Sequence, residues 1–117
     1  MKVRNVIKGT VLILFILNGQ AIGYSGDLWL SQANERFGTP ANMLAHGFLA
    51  GVVHSWNGRR DNTTLRDMCF NAPPQALRIR DLMAVVSDYI SDSDPDLAAP
   101  AQGIIRIAMM AKYPCEP

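Results

Sequence analysis

A chain of 117 residues with 11 Lys/Arg against 10 Asp/Glu has room for one domain around one core. Its net charge of +1 excludes the strongly basic surface that nucleic-acid binding selects. Two histidines and two cysteines leave little material for a metal centre or a nucleophile.

The N-terminus reads as an export signal. Lys2, Arg4 and Lys8 form a positive start, Val11 to Leu17 an unbroken apolar run, and Ala21-Ile22-Gly23 a small-x-small cleavage site. The apolar run is shorter than the roughly 20 residues that span a bilayer, so an uncleaved anchor is the lesser reading. Residues 1–23 are therefore expected to be removed, leaving a domain of residues 24–117 outside the cytoplasm and free of the membrane. Loss of the three leader cations leaves eight basic against ten acidic residues, a net charge of about −2. In an oxidising compartment Cys69 and Cys115 are expected to pair. The bond would close a loop of about 46 residues and stabilise the fold by at most roughly 4 kcal/mol. An intermolecular bridge and a free catalytic thiol are the rival readings.

Four helical segments follow, with no strand-type alternation. The first is expected from Gly26 to Phe37, with Leu28, Trp29, Ala33 and Phe37 as its apolar stripe, ending at Gly38-Thr39-Pro40. The second runs from Pro40 to Trp56 and is apolar nearly all round, the mark of a central helix. Gly47 and Gly51 on it would let another helix backbone come close. Residues 58–74 read as an irregular, polar loop that turns apolar at Met68-Cys69-Phe70, where the disulfide pins it. The third helix begins between Gln75 and Ile79 and ends at Ile90, with Ile79, Leu82, Met83, Val86, Tyr89 and Ile90 at helical spacing. Ser91-Asp92-Ser93-Asp94-Pro95-Asp96 reads as an acidic connector, Asp94 capping a fourth helix from Pro95 to Lys112. The expected fold is all-α, a small single-domain four-helix bundle-like architecture with one disulfide.

Little here points to catalysis. His46 and His54 lie eight positions apart on one helix, about 80° round the axis and two turns along it. They cannot chelate one ion as an i, i+4 pair would. The aspartates at 92, 94 and 96 lack the glycine and distal glutamate of a calcium loop. No metal and no cofactor is expected, and the chain is expected not to be an enzyme. The connector serves as a solvated turn, or as a negative loop that enters a partner's cleft.

From Cys69 onward the sequence resembles the Rap/Tai family of immunity proteins, associated with bacterial type VI secretion. That family's second half places a cysteine before a proline-containing loop, then an amphipathic helix of the type Q-L-x-x-V-V-x-x-Y-[LI]. A short turn ending in proline and a helix closing on A-L-x-x-A-F-P-C complete it. The matching residues are Cys69-Phe70, then Asp81 to Ile90, then Asp94-Pro95, and finally Ala108 to Cys115 with the terminal Tyr113-Pro114-Cys115. Gly47-Phe48-Leu49-Ala50-Gly51 is similar to the family's G-Y-x-x-G. Two departures stand out: Ala33 and Ala45 occupy the positions of a second cysteine pair found in many members, and Arg78 and Asp81 replace a Thr and Gln capping box.

The resemblance implies a periplasmic homodimer that occludes a cognate secreted effector, in several cases a peptidoglycan amidase with a Cys–His site. A loop near the last two helices takes part in such members, which carries over to Ser91, Asp92, Ser93, Asp94 and Asp96. The alternatives are a periplasmic acid-stress chaperone, also small, helical and stapled, and a family member with no amidase partner.

Overall fold

The computed structural model describes residues 24–60 and 68–116; the leader read in residues 1–23 lies outside them. Four helices make up the fold: α1 (Gly26–Ala33), α2 (Pro40–Trp56), α3 (Ile79–Ser93) and α4 (Ala101–Lys112), with a 3-10 turn at Pro74–Ala76. Isolated β-bridges pair Ser25 with Pro100 and Phe70 with Pro114. The all-α expectation holds. Helices α2 and α4 pack on each other and both touch α1 and α3 on either side, so the core lies between them. Trp29, Leu49, Val53, Leu82, Val86, Ile105 and Met109 are its largest fully buried side chains.

The bounds of α2 agree with its sequence signals. Thr39 accepts the Asn42 N–H through its side chain, Pro40 stands at the first helical position, and Asn57 ends the helix ahead of Gly58 at φ 78°. Its polarity does not agree. Ala45, Leu49, Val52 and Val53 face inward, while Met43 and Leu44 are 62% and 59% exposed. Nothing lies within 4 Å of a Cβ built at Gly47 or Gly51, so no helix among the described residues uses the close approach those glycines permit.

Helix α1 stops at Ala33, four residues short of expectation, and Phe37 is 85% exposed. The cause is Asn42. Its side chain is buried and donates to the carbonyls of Ala33 at 3.0 Å and Glu35 at 3.2 Å, while its Oδ1 accepts from Gly38 N–H at 3.4 Å. Those bonds draw residues 34–38 into a turn. Trp29 instead anchors α1, donating its indole N–H to the Ala45 carbonyl at 2.9 Å.

The disulfide joins Cys69 to Cys115, with Cα atoms 5.5 Å apart. Around it the 69–72 segment is sewn to two helix ends. Asn57 exchanges two bonds with the Ala72 backbone, at 2.8 and 3.2 Å, and Asn71 N–H donates to Tyr113 at 2.8 Å. Nearby, Trp56 is stacked by Arg106 of α4 at 3.8 Å and by Arg59 at 5.3 Å.

Candidate partner-binding surface

The expected acidic connector is divided by the structure. Ser91, Asp92 and Ser93 form the last turn of α3. Asp94 is not an N-cap. It ends α3 in the left-handed region, at φ 47° and ψ 56°, and donates its N–H to the Ile90 carbonyl at 3.0 Å. Helix α4 begins at Ala101 with Pro100 at its cap, so Pro95 opens a connector rather than a helix.

That connector is held in place by α1. The first N–H groups of a helix have no partner within it, and here they find partners in the loop. Gly26 N–H donates to Ala99 at 2.8 Å and Asp27 N–H to Leu97 at 2.9 Å, while Ala101 N–H returns to Tyr24 at 2.9 Å. Asp96 closes the inside of the loop by accepting from Ala98 N–H through its carboxylate, at 3.0 Å. The approach is close: a Cβ at Gly26 would displace the tip of the Ile104 side chain and stand 3.2 Å from the Leu97 carbonyl oxygen, so its neighbours would have to shift to admit one. The sequence pattern does not reveal this contact, because Leu97 lies far from Gly26 along the chain.

Ser91, Asp92, Ser93, Asp94 and Asp96 are all exposed. Asp92 and Ser93 also line a groove of about 790 Å³ between α3, the 3-10 turn and the end of α4. Asp94 and Asp96 lie beyond it. The five residues thus form one end of α3 and the start of a pinned loop, not a single protruding loop.

The histidines stand apart from this surface. His46 is half-buried with its ring 6.4 Å from that of Phe37, and His54 is exposed in the last turn of α2. No group of three His, Cys, Asp or Glu side chains able to hold a metal ion occurs among the described residues. No helix among them is long and apolar enough to cross a membrane. Burial raises the Tyr24 phenol above its ordinary value, with its O–H donated to Gln32 Oε1 at 2.8 Å.

Neither the curated proteins nor the solved structures give a match to this chain. The family model of the Rap1a immunity proteins matches residues 25–115, from the residue that caps α1 to the second half of the disulfide. The chain belongs to the Rap1a immunity protein family.

Proposed function

We propose that this is a periplasmic immunity protein of a type VI secretion system, which binds a cognate effector and blocks its active site. The observation that carries the reading is the family match across residues 25–115. Residues 1–23 act as a cleaved signal peptide, and the domain that remains works as a binder with no chemistry of its own. The effector is a peptidoglycan amidase, as for several members of the resembling family.

The pinned acidic end of the molecule supports a blocking role. A loop already tied to α1 and α4 loses little conformational freedom on binding, and that loss is a principal cost of association. Asp94 and Asp96 on such a support suit a cleft that contains a catalytic histidine or other cation, with Leu97 beside them for desolvation. A homodimer forms through the exposed face of α2, where Met43 and Leu44 flank the open backbone at Gly47 and Gly51.

The test is a capture of periplasmic partners by the exported protein at neutral and at acidic pH, followed by hydrolase assays of what is bound. One dominant cell-wall hydrolase, held at neutral pH and inhibited at one equivalent per chain, is the expected result. A broad set of clients bound only in acid would replace this reading with a chaperone.

A further inference from the structure

The groove beside the loop has a character of its own. Asp81, Asp88 and Asp92 of α3 line it at positions seven and four apart, which places them within about 40° of one another round the helix. Along the axis they stand roughly 10 and 6 Å apart. That spacing is too wide for one ion to be shared, and none of the three forms an ion pair with a described residue. Lys112 is the single cation among the lining residues.

The opposite requirement, a surface that water leaves readily, is met by the groove's other side chains. Ala84, Ala108 and Ala111 keep both walls low, and the rings of Tyr89 and Tyr113 border them. From Asp81 to Ser93 the trough follows α3 for about 18 Å, an elongated shape that suits a chain segment better than a compact ligand. Three separated carboxylates over an apolar floor are complementary to cations separated by small apolar residues.

We propose that this groove receives a cationic segment of a protein partner, with Lys or Arg side chains paired to Asp81, Asp88 and Asp92 and small apolar side chains laid over the exposed Ala84 and Ala111. The inference rests on the effector-binding reading for the identity of that partner, and it adds a second contact next to the loop. The immunity protein then grips the effector at two places, its acidic loop in the effector's cleft and a basic effector segment in its own groove.

The probe is an amidated peptide of about twelve residues, long enough to follow the trough as a helix, with lysine at every fourth position among alanine and leucine. Its effect on the amide spectrum of the 15N-labelled exported protein is read against the same peptide with glutamine for lysine, and against spermidine. The lysine peptide should shift Ala84, Val85, Tyr89, Ala108 and Ala111. Asp88→Asn with Asp92→Asn should weaken it about fivefold, as expected for two exposed ion pairs. Ala111→Trp, at an exposed position, should block it without altering charge. Equal binding of the glutamine peptide, equal binding of spermidine, or shifts confined to other surfaces would overturn the proposal. These readouts need no effector, so the groove's chemistry and the immunity role stand or fall separately.

Discussion

Asn42→Ala removes the side chain that holds the α1–α2 turn, and its cost can be worked from the contacts. Two donated bonds are lost, to Ala33 at 3.0 Å and Glu35 at 3.2 Å, together with the longer bond accepted from Gly38. At a net value of about 1 kcal/mol each, the two good bonds contribute about 2 kcal/mol. Ala33 is buried, so its carbonyl loses a partner that water does not easily replace, whereas Glu35 is exposed and its carbonyl rehydrates. Alanine's better helix propensity offsets about 0.5 kcal/mol. The net expectation is a loss of roughly 1.5–2 kcal/mol, which for a domain of this size lowers Tm by about 6–16 °C. Thermal unfolding of the exported protein, followed by far-UV circular dichroism with the disulfide intact, measures it. A Tm within about 2 °C of the parent would refute the reasoning and show that other contacts hold the turn.

Gly26→Ala forces a methyl against Ile104 and the Leu97 carbonyl, and should cost about 1–3 kcal/mol in urea unfolding while accelerating amide exchange at Gly26 and Asp27. Replacing both cysteines by serine opens the 46-residue loop and should cost up to about 4 kcal/mol by the same measurement. Because burial raises the Tyr24 phenol, the unfolded chain gives up that proton first. The contribution to stability is therefore full below about pH 10 and falls as pH rises through the folded value. Tyr24→Phe should flatten the alkaline limb of the stability profile. Ala33→Cys with Ala45→Cys, both buried where α1 meets α2, should form a second bridge, detected as a thiol-free mass in the exported protein.

What could be read in the sequence was what local chemistry decides. Thr39-Pro40 and Asn57-Gly58 bracket α2 correctly because capping and chain breaking act within a few residues. The cysteine pairing followed from there being only two thiols in an exported chain. Asp94 misled because an aspartate ahead of a proline has the form of a helix start; it ends α3 instead, and the following residues are held by α1 backbone groups far away in sequence. The reach of α1 misled for a similar reason, since the Asn42 side chain that ends its stripe belongs to the next helix. At the candidate site, the acidic residues were visible but their division between helix and loop was not. The groove was invisible altogether, because it exists only where α3, the 3-10 turn and the end of α4 come together.

The most direct test of the immunity claim is a competition between the parent strain and a sibling lacking this gene, with the attacker's type VI secretion intact or disabled. Survival of the deletion strain should fall only against the intact attacker. It should be restored by the exported protein, and not by a version retained in the cytoplasm. Equal survival of parent and deletion strains against the intact attacker would contradict the account.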